Sequence, residues 1–595
     1  RSSLNSFSKK KKLHNLKGSH CSHFTALFEW LIPPINLLFE MELQNHVIET
    51  SSPALRVHRM TTLIDTLLHN TYSKNSDFCH TFGSERIFCQ TYLRNIDIEC
   101  IFVFALAWSF GNDLNSTGQT ILSDFVMNIG NDSDYIYTHK IFKMLTSKLK
   151  WQNLGIELEL PLPKTSIFQL YYNPDLKKWK SWADAVPLKA NIDVDASFQN
   201  ILIPTPIGIA FEFHAQSYIN QNVPLLLYGS TGSGKSAHAT NFLHEKLNKI
   251  LFTHFTLHFS ANTTVEQTQH ELTDNLEKPR KGCLSSAEGT RCVVFIDDMH
   301  MVKHSLSGEQ PPNELIRSVF DYGGWYNDRF EFQTLENVNF VSAVTTGLKT
   351  REDFSHFLRL SSHYASFRWS NPDKPMFHKI FSAIMGWYTS RMDFIKDGRK
   401  SIWDVCNGPL VHATIHIYTE VSKYILPSPS KPLNVFNPRD MGSVIQGILL
   451  IKSSDIKGPQ TMMRLWTHEV LRVFFDRLSS EADMDWMFAM IKKCTIDFFN
   501  FDFDKLFSHL DKDHSNDVDP EELRMLYFGG FVGEKGGNYK EVENTDEVIP
   551  SLEKHLKKYN GANSSPMDLV VFSYAAEHIS RILRILRMPG RHGLL

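Results

Sequence analysis

The sequence predicts an α/β fold in which a parallel sheet is flanked by helical subdomains. Three observations predict it. Between about residues 223 and 344, short β-prone runs alternate with helical stretches, the pattern that parallel strands joined by crossover helices leave behind. On both sides of that region apolar residues recur at three- and four-residue spacing, as one face of a helix requires. The glycine-rich "GSTGSGKS" (229–236) stands between a strand and a helix, where such a loop closes around phosphate oxygens.

In chain order, the first twenty or so residues, "RSSLNSFSKKKKLHNLKGSH", are polar and aperiodic and read as a loose end. "FTALFEWL" and "ALRVHRMTTLIDTLL" carry helical spacing, which continues from 24 to about 148. Residues 151–190 hold Pro, Trp and Tyr and form a compact connector. Four strands follow: "VPLLLYG" (223–229), "LFTHFTLHFS" (251–260), "CVVFID" (292–297) and "VNFVSAV" (338–344). A helix begins within "SGKSAHATNFLHEKL", and after about 370 the pattern is helical through 500.

Composition excludes several classes. At 595 residues the chain exceeds one core, and 42% hydrophobic with 21% charged residues is ordinary for folded protein. A net charge of -3 provides no field for nucleic acid or an anionic membrane. The dense basic run "KKKK" (9–12) reads as a solvated tail. The longest apolar run, "IFVFALAW" (101–108), is too short to span a bilayer. Eight cysteines without a C-x-x-C pair read as reduced thiols rather than a zinc knuckle. Neither a nucleic-acid nor a membrane partner is expected. Trp30, Trp108, Trp325 and Trp466 read as core packing. "RILRILR" (581–587) fits either a basic amphipathic face or the start of a packed module. The chain starts at Arg1 rather than Met, which reads as a fragment.

The glycine-rich loop matches G-x-x-x-x-G-K-[ST] in full, so Gly229, Ser230, Thr231, Gly232, Ser233, Gly234, Lys235 and Ser236 are the candidate nucleotide-binding residues. The glycines let backbone amides curl around phosphate without side-chain clash. Lys235 supplies a cation for the β- and γ-phosphates, and Ser236 a hydroxyl for Mg²⁺. Asp297 ends a buried strand, where a magnesium-holding carboxylate belongs. Asp298 follows as the candidate catalytic carboxylate. It reaches about one methylene less far than the glutamate of many such sites, and misplacement by ~1 Å costs about 100-fold in rate.

A second acidic stretch, "DKDHSNDVDPEE" (511–522), carries the spacing of a calcium loop. Asp511, Asp513, Ser515, Asp517, Asp519 and Glu522 fall at ligand positions 1, 3, 5, 7, 9 and 12. Phe503, Leu506, Phe507 and Leu510 form the stripe of an entering helix, and Asp519 with Pro520 starts an exiting one. Asn516 replaces the usual glycine. The alternative is a solvated acidic turn capping a helix.

Longer stretches resemble the motor domain of dynein heavy chains, most of all axonemal ones. "VVFIDDMHM" (293–301) with "GEQPPNELIRSVFDYGGWY" (308–326) is similar to the third AAA+ module of that family, which tends to carry the Asp-Asp pair. "NVFNPRDMGSVIQGIL" (434–449) resembles its lid, and "MMRLWTHEVLRVFFDRL" (462–478) the helix after it. "LFEWLIPPINLLFE" (27–40) and "IFVFALAWSFG" (101–111) resemble the end of the second module. "MDLVVFSYAAEHISRILRILRMPGRHGLL" (567–595) looks like the start of the fourth. The resemblance implies an α/β P-loop AAA+ module flanked by helical subdomains. Its boundaries are a loose end at 1–23, the back of the second module at 24–150 and a connector at 151–195. The third module's large subdomain follows at 196–368 and its helical lid at 369–500, then a connector with the calcium-like loop at 501–565 and the fourth module's start at 566–595.

Carried over residue by residue, the resemblance makes Arg439 the lid arginine that reaches the γ-phosphate, a catalytic candidate. Where the family has a Pro-Arg-Phe-x-Arg finger serving the second module, this chain has "SHFLRL", so His356 replaces the first arginine and Arg359 remains. Thr345 and Thr346 are candidates for sensing the phosphate. The implied function is a switch in a dynein motor ring, binding ATP or ADP with Mg²⁺ and hydrolysing slowly, with the isolated chain nearly inactive. Ca²⁺ enters only through the 511–522 loop. Implied partners are the other AAA+ modules of the same heavy chain, and intermediate chains, light chains and microtubules through other regions. The implied location is the cytoplasmic cytoskeleton and the axoneme of a cilium or flagellum. A midasin-like AAA+ machine would lack "GGWY" and "RLWTHE" at these positions, and a calcium-responsive scaffold without hydrolysis is the other alternative.

Overall fold

The computed structural model describes residues 18–48, 51–72, 94–131, 135, 139–146, 165–173, 176–187, 192–306, 308–327, 329–345, 359–391, 400–510, 517–532 and 537–590. They fall into two compact units, one within 1–188 and 204–371, the other within 189–203 and 372–595.

The first unit opens with helices α1 (Gly18–Leu38), α2 (Pro53–Tyr72), α3 (Asn95–Gly111), α4 (Ser116–Asn131) and α5 (Lys140–Thr146). Helix α1 starts at Gly18, inside the stretch expected to be loose, and His23 within it meets Glu99 at 2.8 Å. Every residue of α3 from Asp97 to Gly111 is buried, so its unbroken apolar run is that of a central helix with no polar face to present. No helix among the described residues is long and apolar enough to cross a membrane. The connector folds into a hairpin of β1 (Leu170–Asn173) and β2 (Lys178–Ser181).

Helix α6 (Pro206–Asn220) begins at an N-cap, where the Thr205 hydroxyl accepts the Gly208 amide at 3.1 Å and Pro206 fills the first turn. There follow β3 (Leu225–Gly229), α7 (Lys235–Asn241), β4 (Phe252–His258), α8 (Val265–Asp274), β5 (Glu277–Arg280), β6 (Cys283–Ser285) and β7 (Arg291–Asp297). Next come α9 (Pro311–Tyr322), β8 (Gly324–Tyr326), β9 (Phe332–Glu336), β10 (Val338–Thr345) and β11 (Ala365–Trp369). Strands β11-β3-β10-β7-β4 form, in that order, a sheet whose neighbours are all parallel. Both faces are covered, so successive residues alternate between two cores. Leu225, Leu227, Val293, Phe295 and Phe367 join the core of the N-terminal helices. Leu226, Tyr228, Val294 and Ile296 join Leu315, Ile316 and Val319 of α9.

The four expected strands are present as β3, β4, β7 and β10. The fifth, β11, was not expected, and neither was a second sheet, β5-β6-β9-β8. On the first face α6 packs into the N-terminal helices through rings: His214 lies 5.5 Å from Phe104, stacked with nearly parallel planes, and 4.6 Å from Trp108.

The second unit contains α10 (Lys374–Arg391), α11 (Lys400–Tyr424), α12 (Pro438–Ile448), α13 (Pro459–Val473), α14 (Glu481–Phe499) and the single turn α15 (Phe503–Leu506). A two-strand ladder of β12 (Phe528–Gly529) and β13 (Lys540–Glu541) follows, then α16 (Val548–Ala562) and α17 (Ser573–Arg587). Met441, Val444, Ile445 and Ile448 of α12 pack with Met462, Leu465, Trp466 and Val470 of α13, each set at helical spacing. Helix α17 meets α13 through a buried ion pair, Arg584 Nε donating to Glu469 Oε2 at 2.8 Å. The Tyr539 hydroxyl donates to the other Glu469 oxygen at 2.7 Å. Arg584 thus places "RILRILR" on a packed face.

Candidate nucleotide site

Strand β3 is buried throughout and delivers the loop at its carboxyl end. The turn needs glycine twice. Gly234 has φ 102°, a left-handed conformation that side chains oppose. At Gly229 a Cβ would lie 2.3 Å from the Trp369 carbonyl oxygen of neighbouring β11. Helix α7 starts at Lys235, so its positive end faces the loop.

Lys235 is buried, and its ammonium donates to the Gly229 and Ser230 carbonyls at 2.7 and 2.8 Å. The Ser236 hydroxyl donates to Asp297 Oδ1 at 2.8 Å. A hydroxyl and a carboxylate from distant segments thereby converge beside the loop. An all-oxygen donor pair suits a hard cation, so Ser236 and Asp297 fit Mg²⁺. Ser233 donates from its hydroxyl to the Ser230 carbonyl at 2.8 Å, Ser230 is bonded to Asn371, and Thr231 is exposed.

Asp298 is exposed, with φ 53° and ψ 41°, and its amide donates to Asp297 Oδ1 at 3.1 Å. That left-handed kink turns the chain into a 3₁₀ turn, Met299–Met301. His300 in this turn escaped the sequence reading. Its Nδ1 accepts the Thr345 amide at 3.4 Å, at the end of β10. Burial lowers the His300 pKa, while Asp298 opposes the shift. Thr345 itself pairs with Gly229 across the sheet, which sets it beside the loop.

Thr346 and His356 lie outside the described residues. Arg359 is exposed at the start of the turn before β11, its carbonyl accepting the Ser362 hydroxyl at 2.8 Å. Arg439 belongs to the second unit and is exposed in the first turn of α12. There Asn437 caps the Arg439 amide at 2.8 Å, and Asp440 accepts the Asn437 amide at 2.8 Å.

The expected calcium loop lies only partly within the described residues. Asp511, Asp513 and Ser515 lie outside the described residues, but the flanking elements are not those of an EF-hand. The entering helix is one turn, Phe503–Leu506, and the expected exiting helix is a 3₁₀ turn, Glu522–Met525. Asp517 pairs with Lys492 at 2.6 Å, and Glu522 accepts the Asp519 amide at 3.2 Å. Phe503, Leu506, Phe507, Leu510 and Val518 are all buried in the second unit's core. Among the described residues no three His, Cys, Asp or Glu side chains are placed to hold a metal ion.

Three family models match the chain. The family described as P-loop containing dynein motor region matches residues 190–372. The dynein heavy chain AAA lid domain matches 24–184, and an AAA+ lid domain matches 410–510. Dynein axonemal heavy chain 12 of Homo sapiens is 30% identical over 98% of this chain and 18% of its own length. Dynein axonemal heavy chain 3 of Homo sapiens is 29% identical over 98% of this chain and 14% of its own. Dynein axonemal heavy chain 1 of Rattus norvegicus is 32% identical over 70% of this chain and 9% of its own. The chain thus spans less than a fifth of the length of these relatives. With a P-loop α/β unit between two matching lids, the chain belongs to the dynein heavy chains, within their AAA+ motor region.

Proposed function

We propose that the chain is the end of the second, the whole of the third and the start of the fourth AAA+ module of an axonemal dynein motor ring. Its glycine-rich loop binds Mg-ATP and Mg-ADP, and hydrolysis there is slow and regulatory. The convergence of Lys235, Ser236 and Asp297 at the carboxyl ends of β3 and β7 carries the binding claim. Ser236 and Asp297 would hold the magnesium ion, which neutralises charge on the β- and γ-phosphates. Lys235 is positioned to exchange its loop carbonyls for phosphate oxygens.

Slow turnover follows from two features. Asp298 is short and faces solvent, so it orients a water less well than a longer carboxylate in a sheltered place. AAA+ sites are also completed by an arginine from a neighbouring module, typically worth ~10³ to 10⁵ in rate. Such a site reports its nucleotide state more than it spends nucleotide. The other modules of the same heavy chain are the proposed partners, and the axoneme the proposed location, as the relatives' names suggest. Minus-end movement on microtubules would belong to the whole motor.

Titration of the chain with a fluorescent ADP analogue tests the reading. Lys235→Ala is expected to abolish most binding, since it removes the cation nearest the terminal phosphates. Equal affinity in a folded Lys235→Ala protein would overturn it.

A further inference from the structure

Trp369 stands at the end of β11, 2% exposed and directly opposite Gly229 in the parallel register. Its indole N–H donates to the Ser233 carbonyl at 2.9 Å. The Ser233–Gly234 peptide is planar and trans, so fixing the carbonyl on one side aims the Gly234 N–H the other way. Gly234 has the freedom of glycine at φ 102°, and nothing in its own chemistry prevents that peptide from flipping. A flipped peptide would present a carbonyl, not an amide, to an anion.

We propose that Trp369 is a positioning residue of the nucleotide site, holding the Ser233–Gly234 peptide in the orientation that turns its amide toward the phosphates. The proposal rests on the nucleotide reading above and names a determinant of its affinity. The indole is itself held. Phe211 of α6 lies 5.6 Å away edge-on, and His238 of α7 lies 4.9 Å away. His238 is itself buried.

The strand behind the indole is fixed by the N-terminal helices. Asn112, just past α3, donates from Nδ2 to the Ser366 carbonyl at 2.6 Å and accepts the Arg368 amide at 3.2 Å. The Asn112 carbonyl also accepts the Tyr228 hydroxyl from β3. Next to it Asp113 is fully buried, bound by Arg56 at 2.7 Å and Arg59 at 3.3 Å. Arg59 reaches on to the Ser361 carbonyl at 3.3 Å, in the turn that carries Arg359. The corner Asn112–Asp113 therefore grips both strands that frame the loop, and Trp369 carries that grip to the phosphate-facing peptide.

The experiment compares the full chain with Trp369→Phe, which keeps a ring and loses the N–H. Affinities for fluorescent ADP and AMP analogues and the melting temperature without nucleotide are measured, with Lys235→Ala as control. ADP is expected to bind about three- to tenfold more weakly to the variant, the scale of one lost hydrogen bond. AMP, lacking the β-phosphate that the loop cradles, should change less than about twofold on the same scale. ADP affinity within about twofold of the parent in the folded variant overturns the proposal, as does an equal loss for ADP and AMP, which would mark Trp369 as packing only. If Trp369→Phe does not fold, Asn112→Ala is judged by the same thresholds. A parent chain that binds no ADP defeats the nucleotide reading itself, a result distinct from binding that ignores Trp369.

Discussion

His214 is sealed among Phe104, Trp108 and Phe367, and burial lowers its pKa to about 3. In the unfolded chain the same ring takes a proton near pH 6.5. Between those values the unfolded state binds more protons, so stability is full above pH 6.5 and falls as the pH drops toward about 3. On going to pH 5 the loss is ~2 kcal/mol. His214→Phe is expected to remove that part of the slope, so the first unit's melting temperature should fall less between pH 7 and pH 5. An unchanged slope would show that the ring is hydrated in solution. His238, held near 4 by burial, leaves a second slope in place. At this scale legibility depends on whether a residue's role is local. Gly234, Lys235 and Ser236 act within one loop, whose spacing is written in the chain. His300 and Trp369 act on Thr345 and Ser233, 45 and 136 positions away, and nothing in the intervening sequence links them.

The joint between α13 and α17 shows what an element owes to one pair of charges. Burial pushes the Glu469 pKa up, but Arg584 and His468 outweigh it and hold the carboxyl at about 2. Arg584→Ala leaves Glu469 buried beside Tyr539 without its cation, and such breakage costs about 3 to 5 kcal/mol. The double replacement Glu469→Leu with Arg584→Met should recover most of that, because it removes both desolvated charges. Denaturant unfolding of the second unit measures both. A cost below about 1 kcal/mol for Arg584→Ala would place the pair in water rather than in the core. Elements were legible when regular, as β7 is with its apolar run ending in Asp297. Strand β11, "ASFRW", was missed because it is five residues long and carries a charge. The second sheet was missed because its strands run three to five residues and β5 is wholly exposed, so no alternation announces it.

For the whole molecule, the boundaries suggested by resemblance and the boundaries of packing are out of phase. The large α/β region expected at 196–368 shares one hydrophobic cluster with helices α1 to α5, and the chain leaves that unit for 189–203 before returning. A protein of residues 196–368 alone would lose the N-terminal helices from that cluster and uncover Phe213, His214 and Phe367, on which Phe104 and Trp108 pack. It is expected to be insoluble or molten, whereas residues 18–371 should melt in one cooperative transition. A sharp, reversible melt for the shorter protein would contradict the shared core. The same arrangement constrains heredity. A recombination crossover near residue 196 would join the N-terminal helices of one ancestor to the sheet of another and so mismatch the two halves of a single core. A crossover near 372 would keep the first unit's core intact and separate only residues 189–203 from the core they join in the second. Lineages should therefore exchange the N-terminal helices and the sheet as one heritable block.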